Sequence, residues 1–321
     1  METIIPRLFT PPKQGFFLFG PRGTGKSTWL KANIPDAIWI DLLEADEFRS
    51  YSARPERLKE LVLAETGKKI VVIDEIQKVP DLLSVVHSLI EKKLKFRFIL
   101  TGSSPRKLKK TGADLLAGRV IKQAFHPFMA VELGRKFNLT SALKQGLLPL
   151  VFSAAAPEAV LRTYASLYVR EEVQAEGLVR NIGNFSRFLE AVSFSHGSLL
   201  NTSNVARDCE VERKTVEAYI TILEDLLLAY RIPVFSKKAK RAMAAHPKFY
   251  YFDAGVYRSL RPCGPLDRPE EIEAAALEGL VAQHLTAWSS YRGEKNKVYF
   301  WRTAAGSEVD FVVYGEEVFW A

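Results

Sequence analysis

The sequence predicts an α/β fold in which helices flank a parallel sheet and the ligand lies at the carboxyl ends of the strands. Three short apolar runs carry this prediction, at residues 16–19, 70–73 and 96–100. Each has the length of a strand buried on both faces, and segments with helical spacing separate them. Glycine-rich or polar residues follow each run, as expected at the ligand-binding edge of such a sheet.

The first run leads into Gly20-x-x-x-x-Gly25-Lys26-Ser27, the pattern of a phosphate-binding loop. Glycines let successive backbone N–H groups turn towards phosphates, and a helix beginning near Lys26 adds the positive end of its dipole. We expect Lys26 to contact the β- and γ-phosphates of ATP and Ser27 to bind Mg²⁺. The predicted nucleotide-binding residues are Gly20, Arg22, Gly23, Thr24, Gly25, Lys26, Ser27 and Thr28. For Arg22, a solvent-facing position in the loop is the alternative.

The second run ends in the acidic pair Asp74 and Glu75. We expect Asp74 to order the Mg²⁺ ion and Glu75 to polarise the attacking water as a general base. An exposed strand end could carry such a pair by chance. Its position downstream of the loop and directly after four β-forming residues favours the catalytic interpretation.

The third run is followed by Thr101, Gly102, Ser103 and Ser104. A polar side chain at this strand end can contact the γ-phosphate or the attacking water. Thr101 is the first candidate for this catalytic role and Ser103 the second. A turn rich in serine and threonine is the alternative interpretation. Between the second and third runs, apolar residues at helical spacing predict a helix that starts at Pro80 and Asp81.

The composition is that of an ordinary globular protein with an excess of positive charge. The 321 residues include 45 Lys and Arg against 37 Asp and Glu, a net charge of +8. Residues 91–122 hold ten basic and two acidic side chains, and residues 236–248 hold five basic and no acidic ones. Such clusters can contact the phosphates of DNA, or they can form a solvated face.

Several classes of protein are not indicated by the sequence. No apolar run approaches the roughly 20 residues that span a bilayer. The N-terminus lacks the pattern of a signal peptide. Cys209 and Cys263 form neither a disulfide framework nor a metal-binding spacing. We therefore expect a cytoplasmic protein with no membrane partner.

The middle of the chain divides into a helical connector at residues 136–198 and a small module at residues 199–260. Two helices, a ribbon and a basic tip give this module a winged-helix outline. Such a module could place its second helix in the DNA major groove, or it could serve as a contact surface for a protein partner. Acids on the second helix would be repelled by the DNA backbone, so only its first turn could enter a groove. These acids are Glu212, Glu217, Glu224 and Asp225.

Four stretches, FGPRGTGKST, VVIDEIQKVPD, FILTGSS and LLAGRV, occur in this order. In order and spacing they resemble a group of bacterial and archaeal AAA-superfamily ATPases, whose ATPase module is joined to a C-terminal domain of unknown function. The resemblance implies an AAA-type P-loop ATPase domain at residues 1–135 that converts ATP to ADP and phosphate. It also implies that Arg119 completes an ATP site, either its own or that of a neighbouring subunit in a homo-oligomer. A surface arginine is the alternative for Arg119, and Arg170 is a second candidate.

The last predicted domain, residues 261–321, resembles the core of restriction endonucleases. Its order is a helix with Glu278, a strand, and a second strand with Asp310. In that core an Asp and a Glu-x-Lys hold Mg²⁺ around an attacking water. The Glu-x-Lys would lie on or after a strand beginning at residue 317, so we expect an incomplete domain that does not cut DNA by this route. A structural role for Asp310 is the alternative.

Three functional hypotheses follow. The first is an ATP-hydrolysing protein that couples its nucleotide state to nucleic-acid contact through the C-terminal modules. The second is a slow nucleotide-operated switch that acts on a protein partner. The third is an ATP-dependent nuclease in a longer form of the chain.

Overall fold

The computed structural model describes residues 4–65, 67–105, 116, 118–168, 173–174, 179, 181–236, 246–303, 305–316 and 318–321. The chain divides into two compact units, unit 1 (Met1–His126) and unit 2 (Pro127–Ala321). Arg170 and most of the basic cluster at residues 236–248 lie outside the described residues.

Unit 1 is built around a five-stranded parallel sheet with the strand order β2-β3-β4-β1-β5. Its strands are β1 (Phe16–Phe19), β2 (Ile38–Asp41), β3 (Ile70–Asp74), β4 (Arg97–Gly102) and β5 (Ile121–Ala124). Its helices are α1 (Lys26–Asn33), α2 (Ala45–Ala53), α3 (Arg57–Ala64) and α4 (Leu82–Glu91), with a 3₁₀ turn at Ile76–Lys78. This confirms the α/β fold class predicted from the sequence.

The burial of the strands explains which of them the sequence could predict. All of β1 is buried, and so are four of the five residues of β3, because helices cover both faces of the central strands. β2 alternates between buried and half-buried residues, and no residue of the edge strand β5 is fully buried. β5 combines apolar and polar residues and shows no apolar run, and β2, although Ile38 to Ile40 are apolar, was not predicted.

The parallel arrangement brings the polar ends of the strands to one edge of the sheet. The last residue of β1, Phe19, lies beside Gly102 of β4, and Asp41 of β2 lies beside Asp74 of β3. The phosphate-binding loop follows β1 at this same edge. The three stretches singled out in the sequence therefore converge, as expected for a doubly wound sheet.

Unit 2 contains helices and two small antiparallel sheets, with strand orders β6-β8-β7 and β11-β10-β9. Its helices are α5 (Ala130–Leu133), α6 (Leu139–Gln145), α7 (Pro149–Phe152), α8 (Pro157–Thr163), α9 (Ile182–Ser193), α10 (Thr202–Asp208), α11 (Arg213–Asp225), α12 (Ala254–Leu260) and α13 (Pro269–Tyr291). Its strands are β6 (Ser198–Leu199), β7 (Ala229–Ile232), β8 (Lys248–Tyr251), β9 (Asn296–Arg302), β10 (Glu308–Gly315) and β11 (Phe319–Trp320).

The two sheets of unit 2 are joined through the end of β7. Val234 forms a β-bridge with Phe300 of β9, and the Phe300 amide donates to the Pro233 carbonyl. A buried cluster of Ile232, Tyr250, Ala282 and Phe300 then packs both sheets on α13. Among the described residues, no helix is long and apolar enough to cross a bilayer.

Candidate functional site

The loop after β1 has the backbone conformation that its glycines allow. Gly23 and Gly25 have φ angles of 81° and 85°, in the left-handed region where a side chain would be strained. Gly25 is the residue before α1, and its carbonyl accepts the first helical hydrogen bond, from Trp29. The loop therefore passes directly into the N-terminus of a helix, where backbone N–H groups favour an anion.

Lys26 spans this loop from the first turn of α1. It is buried, and its Nζ donates to the Gly20 carbonyl at 2.7 Å and to the Pro21 carbonyl at 3.3 Å. Thr24 is also buried, and its hydroxyl donates to Pro21 at 2.8 Å. The fold thus holds an ammonium group against the concave backbone of the loop, where a phosphate chain needs a counter-charge.

An arginine outside the predicted set braces the same loop. The Arg7 guanidinium donates to the Thr24 carbonyl at 3.1 Å and to the His126 carbonyl at 3.0 Å or less. It also lies 4.2 Å from the centre of the Phe125 ring. Arg7 thereby links the N-terminal segment, the loop and the residues after β5. Its contacts are too far apart in sequence for the loop motif to reveal them.

Asp74 ends β3 as a buried carboxylate. The Thr101 hydroxyl at the end of β4 donates to Asp74 Oδ1 and accepts from the Glu75 amide at 3.0 Å. Thr101 is itself fully buried. In this structure Thr101 contacts the acidic pair, so its position favours an indirect role through Asp74 and Glu75.

Glu75 occupies a left-handed turn with a φ of 59°. Its carboxylate accepts a hydrogen bond from the side-chain amide of Gln77. The same Gln77 nitrogen donates to Ser103 Oγ at 3.1 Å. Sequence reasoning did not single out Gln77, although it stands two residues after Glu75 in the stretch DEIQ.

Mg²⁺ would be held here by oxygen ligands. Ser27 lies half-buried in the first turn of α1, and Asp74 supplies a buried carboxylate. Mg²⁺ commonly uses one or two protein oxygens and completes its shell with phosphate oxygens and water, so this donor set fits it. The flanking predicted residues Arg22 and Thr28 are exposed on the loop and on α1.

Arg119 lies on the surface of unit 1. Its Nε is 2.6 Å from Glu91 Oε1 at the end of α4. The hydrogen bond and charge of Arg119 lower the pKa of Glu91. An arginine acting on a neighbouring subunit would have to leave this pair.

A second cluster of charged side chains lies in unit 2. The Lys248 side chain at the start of β8 is 3% exposed, and its Nζ lies 2.9 Å from Glu278, 2.5 Å from Glu308 and 2.9 Å from Asp310. Tyr250 donates to the same Glu278 oxygen at 2.6 Å. Asp310, the candidate metal ligand of this domain, therefore shares a lysine with Glu278 and Glu308, and this lysine comes from β8 and not from a strand after β10.

The electrostatics of this cluster favour the charged lysine. Burial lowers the pKa of Lys248, but the hydrogen bonds that its ammonium donates to Glu308, Asp310 and Glu278 raise this pKa above its ordinary value. Burial and the Glu278 carboxylate raise the pKa of the Tyr250 hydroxyl. The lysine is thus a permanent cation between three carboxylates at neutral pH.

Two arginines at helix α11 and the adjacent strand β7 are paired with acids of α11. Arg213 Nε lies 2.8 Å from Glu217, and Arg231 of the adjacent strand forms a two-pronged pair with Glu224 at 2.7 and 2.6 Å. Paired arginines have less charge to offer a phosphate backbone.

Comparison with protein families agrees with this geometry. Residues 13–134 match the family model described as an AAA domain. Residues 136–267 and 273–321 match two models, each described as a domain of unknown function, DUF8612 and DUF4143. The chain is therefore an AAA-type P-loop protein with a C-terminal DUF4143 region. This confirms the class predicted from the four motifs and defines a nucleotide-binding protein.

Its relatives extend over most of the chain. The uncharacterized proteins Rv2008c of Mycobacterium tuberculosis and Mb2031c of Mycobacterium bovis are each 27% identical over 316 residues, covering 94% of this chain and 69% of theirs. An AAA-ATPase of Arabidopsis thaliana, At3g28520, is 44% identical over 66 residues, covering 21% of this chain and 13% of its own.

The solved structures to which the chain is similar include replication initiators. DnaA bound to AMPPCP and single-stranded DNA has a TM-score of 0.30 at 12% identity, covering 66% of this chain and 82% of that chain. AMPPCP-bound DnaA from Aquifex aeolicus has a TM-score of 0.31 at 13% identity, covering 68% of this chain and 82% of that chain. At these TM-scores the likeness does not extend to function.

Proposed function

We propose that unit 1 hydrolyses ATP to ADP and phosphate with Mg²⁺. One observation carries this proposal. The phosphate-binding loop, which holds the Lys26 ammonium, lies at the same edge of the sheet as Asp74 and Glu75. Backbone N–H groups and Lys26 would bind the phosphates, and Ser27 and Asp74 would hold the metal. When bound, Mg²⁺ would neutralise charge developing on the phosphate oxygens.

Glu75 is the residue that we assign to the proton transfer. Its carboxylate would accept the proton of the attacking water, while Asp74 stays bound to Thr101. The two carboxylates would thus perform different tasks because different neighbours hold them. This division supports hydrolysis over nucleotide binding alone.

Two substitutions test the proposal. In Glu75→Gln, ATP binding should persist while phosphate release falls about 100-fold or more, since general bases contribute this much. Lys26→Ala should weaken both binding and turnover. Binding is measured by isothermal titration and turnover by phosphate release. Normal hydrolysis in Glu75→Gln would show that the general base is elsewhere.

We further propose that the C-terminal modules respond to the nucleotide state. The order α9, β6, α10, α11, β7, β8 supports a winged-helix module, and the net charge of +8 supports contact with DNA. Stimulation of turnover by DNA, weakened by added salt, would support nucleic-acid coupling. Slow hydrolysis with no response to DNA would support a switch that acts on a protein partner.

A nuclease is the least supported of the three functions. Asp310, which would hold the metal together with a Glu-x-Lys, accepts a hydrogen bond from Lys248, as Glu278 does. A divalent ion would have to displace an ammonium that three carboxylates stabilise. Plasmid incubated with this chain and Mn²⁺ should stay intact; cleavage that Asp310→Ala abolishes would contradict this proposal.

A further inference from the structure

We infer that Gln77 is a positioning residue that orients the Glu75 carboxylate for the attack of water. This inference rests on the proposed hydrolysis. Gln77 and Glu75 are only two positions apart in the chain. Side chains at this spacing in a regular helix do not face each other, so their contact requires an unusual backbone conformation. The left-handed φ of 59° at Glu75 turns its side chain towards Gln77.

In the contact between Gln77 and Glu75, the amide is the donor and the carboxylate is the acceptor. Gln77 presents its Nε2 to the Glu75 carboxylate and to Ser103 Oγ, so the amide nitrogen is the donor to an acceptor-only group. The reverse orientation would put the amide oxygen against the carboxylate. The Ser103 contact then fixes the amide from the end of β4, on a second element of the sheet.

The amide oxygen of Gln77 lies against Gly102 at the end of β4. Gln77 is 9% exposed, and its Oε1 is buried with no hydrogen-bond partner among the described residues. A Cβ built on Gly102 would lie 2.7 Å from that oxygen, so the glycine makes room for the amide.

The left-handed backbone conformation of Glu75 also supports a positioning role for Gln77. A non-glycine residue in the left-handed region is unfavourable and persists only where its surroundings impose it. Here the Glu75 amide is fixed by Thr101 at 3.0 Å and its side chain by Gln77. Backbone and carboxylate of the general base are thus each held by a separate polar side chain.

The inference is tested by the turnover of Gln77→Met, which keeps the length of the side chain and removes the donor. We expect kcat to fall about 10-fold, a part of the contribution of a general base. KM and the Kd for ADP should stay within about twofold, because the phosphate loop is untouched. Gln77→Glu should be more impaired at pH 8 and recover as the pH falls, since a protonated carboxyl can donate again.

The matched control is Gln283→Met in unit 2. Gln283 is also a buried glutamine whose Nε2 donates a hydrogen bond to the Phe128 carbonyl at 3.2 Å, and its Oε1 has no partner within the described part of the chain. Its substitution should leave kcat unchanged at a comparable loss in Tm. If Gln77→Met does not fold, Gln77→Asn keeps the amide but is too short to reach Glu75, and it should show the same kcat loss.

The outcomes separate this inference from the proposed hydrolysis. Wild-type turnover that requires Glu75, together with an unchanged or increased kcat in Gln77→Met, overturns only the role of Gln77. An equal loss of kcat and of ADP affinity also overturns it, because it indicates a structural effect on the loop. Wild-type protein without Glu75-dependent turnover overturns both.

Discussion

Lys248 Nζ lies 2.9 Å from Glu278 Oε1, and the two residues are 30 positions apart in the chain. The same ammonium is shared with Glu308 of β10 and with Asp310, which lies in an irregular part of that strand between Val309 and Val312. One lysine therefore connects β8, α13 and β10. The three carboxylates would repel each other without it.

Replacing Lys248 with Met should destabilise unit 2. The substitution leaves three partly exposed carboxylates without their cation, and the loss of a hydrogen bond between charged groups costs about 1.5–3 kcal/mol. The free energy of unfolding is measured by urea denaturation at pH 7.5. Lys297→Met, at an exposed position on β9, is the control and should change it by less than about 0.5 kcal/mol. A stable Lys248→Met protein would refute the linking role.

Thr101→Val should lower turnover and stability together. The valine keeps the shape of the side chain but leaves the Glu75 amide without its 3.0 Å acceptor and Asp74 without its donor. Unsatisfied buried groups cost about 1–3 kcal/mol each. Phosphate release and thermal unfolding measure the two effects. Thr101→Ser retains the hydroxyl and should stay close to wild type; a serine variant as impaired as the valine one would point to packing.

Arg119→Ala should reduce turnover only if Arg119 serves an ATP site of another subunit. In that case the specific activity of the wild type rises with protein concentration, while that of the variant stays low. Glu91→Gln weakens the 2.6 Å contact that holds Arg119. The specific activity of this variant should therefore rise at lower protein concentrations than that of the wild type. Turnover independent of concentration in all three proteins would assign Arg119 to the surface.

The contribution of His196 to the stability of unit 2 should fall as the pH drops below about 6.5. His196 is 3% exposed, its Nδ1 accepts from the Tyr251 amide, and its ring stacks on Tyr257 at 3.9 Å. Burial lowers the pKa of His196 from 6.5 to about 3, so the folded state binds fewer protons than the unfolded one in this range. The contribution of His196 is fully present well above pH 6.5, and up to about 2 kcal/mol of it is lost by pH 5.

A non-titrating substitution isolates this effect. In His196→Asn the amide oxygen can replace Nδ1 as the acceptor, so unfolding free energy should depend less on pH between 7 and 5. Asp253 acts in the opposite direction, because burial raises its pKa to about 6 and its protonation favours the folded state. Since Asp253 is present in both proteins, their difference reports His196. Identical pH slopes would exclude His196 as the source.

Only part of the candidate site could be predicted from the sequence. The phosphate-binding loop depends on glycines at fixed spacing. The acidic pair is identified by the apolar strand directly before Asp74, so short stretches of sequence predict both features. The contacts of Thr101, Gln77 and Arg7 are set by which strand ends meet. The helix predicted from Pro80 is confirmed as α4 (Leu82–Glu91), because a long amphipathic pattern has few competing structures.

By itself, the sequence determined the fold class, the phosphate-binding loop and the presence of two carboxylates beside it, because these follow from local periodicity and from residue types that the backbone requires. Only the tertiary structure decided which partner each polar side chain takes. Lys248 reaches Asp310 across 62 positions, and Arg119 reaches Glu91 across 28. The physical reason is that hydrogen bonds and ion pairs act over a few ångströms, and only the folded chain brings such distant residues that close.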